Sequence, residues 1–165
     1  MRKDSFDELM RKVNEDFFRF DCLYGELAKL LGETYLSLMT LELLGEHPQG
    51  ISQKALGRQL FLSKQTMNST MRGFEQRGLV SHKLDETDKR SKLHYLTEEG
   101  QRHHDRLMAA MRRVDMRSAE AVGLERLQAW HEASVDYANA YEKEMRRLSM
   151  EMDDHADKRD EKPKR

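Results

Sequence analysis

The chain has 165 residues, enough for one domain, and its 38% hydrophobic content is low for a protein that must complete a core unaided. Its 29 Lys and Arg nearly cancel 30 Asp and Glu, so total charge points to no polyanionic partner. One cysteine excludes an internal disulfide, and neither a leader-like segment nor an 18-residue apolar run is present, so a cytoplasmic protein without membrane contact is expected.

The first predicted element is a long helix. Phe6, Met10, Val13, Phe17, Phe20, Tyr24, Leu27 and Leu31 are separated by alternating steps of four and three, a heptad seam sustained over more than three repeats. A helix of about 26 residues is roughly 39 Å long, more than residues 51–100 can cover. Either the C-terminal helix of the same chain packs on the seam or a second copy does, and a homodimer with interleaved termini is the favoured expectation. Cys22 sits within this helix beside Asp21, whose charge would raise a thiol pKa, which favours a structural over a redox role.

Residues 51–100 follow a different pattern. Ser52 is a good N-cap, and Ala55, Leu56 and Leu60 recur at helical spacing, predicting a short helix from Ser52 to Leu60. Ser63 opens a second helix running to about Arg77, and Gly78 stands where a left-handed residue would close it. On this helix Met67, Met71 and Phe74 share one face, while Gln65, Asn68, Ser69 and Arg72 share the other. Gln and Asn can donate and accept together at adenine, and Arg can donate twice to guanine or hold a phosphate. Lys64 and Thr66 lie near the helix N-terminus, where backbone amides and the dipole favour phosphate. The same face is also compatible with an ordinary solvated helix surface.

Leu79 to Leu84 and Lys92 to Leu96 read as two strands of a hairpin, joined by a charged seven-residue connection that holds Asp88, Lys89 and Arg90. Such a length suits a wing inserted beside a duplex, with Arg90 in the minor groove and Asp88 holding it; a solvated, charge-rich turn is the alternative. Thr97, followed by Glu98 and Glu99, caps the next helix. Charge is distributed accordingly: residues 51–92 carry 9 Lys or Arg against 4 Asp or Glu, whereas residues 1–46 carry 6 against 10.

Leu79-Val80, then Asp85-x-x-Asp88-Lys89-Arg90, then Leu96-Thr97-Glu98-Glu99-Gly100, resemble the multiple-antibiotic-resistance regulator (MarR) family of bacterial transcription factors. The resemblance spans roughly Leu30 to Gly100. It implies an obligate homodimer, with Lys64, Gln65, Thr66, Asn68, Ser69 and Arg72 in a major groove and Asp88 and Arg90 at the adjacent minor groove; Ser52 and Lys89 complete the DNA-binding set. It further implies a small, often aromatic or anionic, effector between the dimer helices and the head. Tyr35, Met39, Met108, Met111 and Trp130 are candidates to line its pocket, although such residues are also ordinary core. The chain departs from the family at Phe61, a bulky residue in a turn that often holds Gly, and at His82 and Thr87, where Arg is common. Gly73 inside the second helix costs about 1 kcal/mol relative to Ala.

Leu124 to about Met152 predicts a second long helix with Leu127, Trp130, Tyr137, Tyr141, Met145 and Leu148 on its apolar face, and residues 153–165 read as a charged, disordered tail. His103, His104 and Asp105 have no ligand at i+4 to complete a chelate and read as solvated side chains, so neither metal nor cofactor is expected. No phosphate-cradling Gly loop, Gly-x-Ser-x-Gly elbow or His-Glu-x-x-His pair points to an enzyme.

The expected architecture is mainly α with a small β-wing: one domain over residues 1–152, in which a winged helix-turn-helix (51–100) is flanked by dimerisation helices (1–46 and 101–152). The expected function is sequence-specific recognition of duplex DNA by a homodimeric transcriptional repressor of a pseudo-palindromic operator, relieved by a small effector. The alternatives are a winged helix used as a protein-interaction module without DNA binding, and a helical small-ligand-binding protein.

Overall fold

The computed structural model describes residues 3–85, 89 and 91–160, with side chains described at 5–85, 89 and 91–152. It divides into two compact units, Met1–Arg113 and Val114–Arg165. Helix α1 spans Lys3–Leu30 and α2 spans Tyr35–Gly45; a two-residue strand β1, Ile51–Ser52, leads into α3, Gln53–Gln59, and α4, Lys64–Gln76. Strands β2, Val80–Leu84, and β3, Lys92–Leu96, precede α5, Glu98–Val122, and α6, Leu124–Asp160. No helix among the described residues is long and apolar enough to cross a membrane.

The expected caps form the helix starts. Ser52 Oγ accepts from Ala55 N at 3.2 Å and Ser63 Oγ from Thr66 N at 3.1 Å, each satisfying an amide that the first turn cannot. Both short helices then close in the same way. Leu79 N donates to Phe74 O and Gly78 N to Glu75 O, the paired bonds of a Schellman close, with Gly78 at φ +70°. Leu62 N donates to Gly57 O and Phe61 N to Arg58 O in the same pattern, so Phe61 takes the left-handed position at φ +53° with its ring almost fully exposed. The side chain that made this turn anomalous in the sequence does not change its hydrogen bonding; it is held at a conformation costing about 1–2 kcal/mol for a non-glycine residue.

The sheet has three strands, not the two expected. Ile51 and Ser52 pair antiparallel with His94 and Leu93, giving the order β1-β3-β2. Two residues between Gly50, at φ +99°, and the first residue of α3 are too few to leave a periodic signal. In the β2–β3 hairpin, His82 opposes His94 and Leu84 opposes Lys92.

The core of the first unit gathers Leu38, Leu41 and Leu44 from α2, Leu56 from α3, Met67, Met71 and Phe74 from α4, Leu79 and Val80, and Leu107 and Met111 from α5. The Leu-Thr-x-x-Gly motif locks α5 to this core. Thr97 N donates to Leu79 O, Thr97 Oγ1 donates to Gly78 O at 2.6 Å, and Gly100 N donates to Thr97 Oγ1 at 3.0 Å. A Cβ on Gly100 would stand 1.9 Å from Leu79 O, so only glycine permits the approach.

Much of the seam on α1 is uncovered in the single chain: Phe6, Phe17, Phe20 and Tyr24 are exposed, and only Leu27, Leu31 and Ala28 reach the core. In the second unit α6 likewise exposes Trp130, Tyr137, Tyr141, Met145 and Leu148. Its backbone stays helical to Asp160, beyond Met152 and into the segment read as a disordered tail. Those residues are charged but contain neither Gly nor Pro before Pro163, so nothing in them interrupts a helix already under way.

Candidate nucleic-acid interface

Helix α4 is built to present one face outward. Met67, Met71 and Phe74 are buried to within 1% of full coverage, which fixes the rotation of the helix and leaves Lys64, Gln65, Thr66, Asn68, Ser69 and Arg72 exposed opposite them. The first turn contains no acid, so Lys64 and the free amides there are not offset locally. The Thr66 hydroxyl is 2.8 Å from Ser63 Oγ, within the cap itself.

Beside this face lies an open cleft of about 680 Å³ between α3, α4 and the base of the hairpin. Ser52, Lys64 and Asn68 line it together with Lys54, Arg58 and Lys92, over an apolar floor of Leu62 and Met67. Among the described residues, none of these cations is ion-paired and no carboxylate lines the cleft. A concave site of one sign of charge concentrates its field and suits a polyanion. Gln65, Thr66, Ser69 and Arg72 lie on the exposed face of α4 outside the cleft, and Lys89 is an exposed turn residue. Asp88 and Arg90, expected to form the wing pair, lie outside the described residues. Sequence reasoning missed Lys54 and Arg58, whose i,i+4 spacing on α3 was the available signal.

Behind the C-terminal end of α4 is a charged network that was also missed. Glu33, in the turn between α1 and α2, is buried and accepts from Arg77, at the close of α4, through both oxygens, one bond measuring 3.0 Å. His103 of α5 is buried as well, its Nε2 lying 2.7 Å from Glu33 Oε1. Arg106 Nη2 approaches His103 Nδ1 at 2.6 Å. Because a guanidinium can only donate, Nδ1 accepts and Nε2 carries the hydrogen given to Glu33. Burial pushes the Glu33 pKa up, but the hydrogen bonds from Arg77 and His103 and the charge of Arg77 outweigh it and hold the carboxyl below its ordinary range. The reading of His103 as a solvated side chain is therefore corrected, because its partner is 70 residues away and invisible to local spacing.

The five effector candidates have different surroundings. Met111 is core, Met39 and Met108 pack against it, Tyr35 is exposed with its ring 6.4 Å from that of Tyr24, and Trp130 belongs to the second unit. Cys22 is exposed on α1 and fills no core of its own chain.

This geometry, helix-turn-helix then hairpin then glycine-locked helix, accompanies a match of residues 31–91 to the MarR family. The winged-helix head resembles that family. Over 77 residues it is 39% identical to the organic hydroperoxide resistance transcriptional regulator of Bacillus subtilis, covering 47% of this chain and 52% of that protein, so it spans about half the length of this curated relative. The MarR likeness in fold reaches further. A solved MarR family transcription regulator superimposes with a TM-score of 0.76 at 17% identity, over 87% of this chain and 94% of that one. A mutant of MepR from S. aureus, solved bound to an oligodeoxyribonucleotide, superimposes with a TM-score of 0.52 at 18% identity, over 82% and 96% of the two chains.

Proposed function

We propose that this protein is a homodimeric transcription regulator that reads a pseudo-palindromic operator in duplex DNA, acts as a repressor by covering it, and releases it when a small effector binds. The observation that carries the reading is the junction of the exposed polar face of α4 with the cationic cleft formed by Lys54, Arg58, Lys64 and Lys92. Phosphate contacts from the cleft would fix position, while Gln65, Asn68 and Arg72 reach base edges. A solved protein of similar fold, bound to an oligodeoxyribonucleotide, supports DNA as the partner.

The dimer is supported by the exposed apolar faces of α1 and α6, which a solvated single chain would leave in water. Pairing also supplies two recognition helices, and spacing them about 34 Å apart matches half-sites one helical turn apart. An effector that alters this spacing would lower affinity without touching a base contact.

The test is selection of bound duplexes from a random library at near-physiological salt, alongside an Arg72→Ala, Lys64→Ala variant. Enrichment of an inverted repeat by the parent, with at least about tenfold weaker binding by the variant, is the expected result. Equal, unselective binding by both would overturn the reading in favour of a protein-interaction module.

A further inference from the structure

Where the C-terminal end of α4 meets the hairpin, three side chains from three elements converge. Glu75 comes from the last turn of α4, His82 from β2 and His94 from β3. The register makes His82 and His94 direct cross-strand partners, so both imidazoles leave the same face of the sheet, with ring centroids 5.5 Å apart. Glu75 closes the set: its Oε1 is 3.1 Å from His82 Nδ1 and 3.9 Å from His94 Nδ1, and one ligand atom from each residue lies within 4.8 Å of the others.

The decisive observation is at His94. Its side chain is only 4% exposed, yet its Nδ1 has no hydrogen-bond partner among the described residues and faces Glu75 and His82. Buried polar atoms are nearly always satisfied, and an exception points to a group that remains to be bound. A Glu75–His82 ion pair would account for the 3.1 Å contact but would leave this nitrogen without a partner.

We propose that Glu75, His82 and His94 form a binding site for a divalent transition-metal ion of the zinc type. Two neutral imidazole nitrogens and one carboxylate oxygen are the donor set such ions take, with a fourth position left to water. At metal–ligand bonds of about 2.0–2.1 Å, neighbouring ligands of a tetrahedral ion are about 3.3 Å apart, so the set needs only a modest contraction. His94 is fixed by burial, whereas Glu75 and His82 are each about two-fifths exposed, at 39% and 38%, and free to move inward. The main chain of Glu75 is itself held, its carbonyl accepting from Gly78 N in the turn that closes α4.

A bound ion would tie the end of α4 to both strands of the hairpin. If the head reads DNA, the proposal on which this consequence rests, the ion fixes the angle of the wing to the recognition helix.

The test uses the full chain stripped of metal. Zn²⁺ is titrated in competition with a chromophoric chelator, Co²⁺ is followed by its visible absorption, and thermal unfolding is measured with and without Zn²⁺. One ion per chain at micromolar affinity or tighter, with a raised unfolding midpoint, is expected. His82→Ala and Glu75→Gln, both at exposed positions, should each weaken binding at least about tenfold and remove the midpoint shift, while His131→Ala on α6 leaves both unchanged. Absence of stoichiometric binding, or binding that the His82 and Glu75 substitutions do not weaken, would overturn the site. All of these readouts are taken on free protein, so failure to select a duplex would count against the regulator reading and leave the metal result standing.

Discussion

His94 and His103 are both buried in the first unit, and both face a glutamate, but their surroundings differ in one respect that separates structure from site. His103 has each ring nitrogen engaged, donating to Glu33 and accepting from Arg106, and Glu33 is further held by Arg77. His94 has a buried nitrogen with no partner and a glutamate 3.9 Å away. A satisfied buried network stabilises the position it occupies, whereas an unsatisfied buried group costs about 1–3 kcal/mol. The first histidine joins α5 to the turn after α1 and to the end of α4; the second is set between the hairpin and α4 and leaves a valence open.

The largest effect that would break this comparison is at Glu33. Glu33→Ala leaves His103 without its acceptor and Arg77 without its counter-charge. Removing one partner of a buried pair costs about 3–5 kcal/mol; Arg77 is 43% exposed and regains water, so the expected loss lies near the lower end. Urea unfolding of the variant against the parent measures it. A loss under about 1 kcal/mol, the scale of exposed ion pairs, would mean that the network contributes no more than a surface bridge.

Swapping each histidine for leucine sharpens the contrast. His103→Leu strands the buried Glu33 carboxylate beside an apolar group and should cost about 2 kcal/mol. His94→Leu, in metal-free buffer, removes the orphaned nitrogen while roughly conserving volume, so it should be neutral or stabilising by up to about 1 kcal/mol. Equal destabilisation by both substitutions would show that the Nδ1 of His94 is satisfied in solution and would remove the contrast between them.

The difference between these histidines also marks how far the sequence could be read. Local chemistry was legible: Ser52, Ser63 and Thr97 cap, Gly78 closes, Met67, Met71 and Phe74 face inward, and the polar residues between them face out. Each of those signals lies within a few residues of its consequence. Arg77 and His103 lie 44 and 70 residues from Glu33 along the chain, and no periodicity relates them. The site at Glu75, His82 and His94 depends on strand register, which sets His82 opposite His94 and which a one-residue slip would destroy. Of the proposed DNA-reading residues, those on α4 were legible from helical period alone, while Lys54, Arg58 and Lys92 acquire their meaning only where α3 and the hairpin meet α4 around one cleft.

The smallest effect is the dependence of stability on pH, and it distinguishes the two sites by window. Burial lowers the pKa of His94; Glu75 opposes the shift, and His82 and Lys92 add to it. The unfolded chain therefore takes up a proton at this residue near about pH 6.5 while the folded chain does not, and stability falls as pH drops through that value until the folded His94 is itself protonated. Glu33 is depressed against its unfolded value, so its contribution is complete above about pH 4.3 and is lost as pH falls from there through its lower folded pKa. Acid thus destabilises the fold through both groups, first at His94 and then at Glu33. Unfolding midpoints followed from about pH 8 to about pH 2.5 in metal-free buffer should show the upper decline weakened in His94→Leu and the lower one weakened in Glu33→Gln, each variant leaving the other window in place. An upper decline that persists in His94→Leu would assign that titration elsewhere and leave the buried imbalance at His94 without a thermodynamic signature.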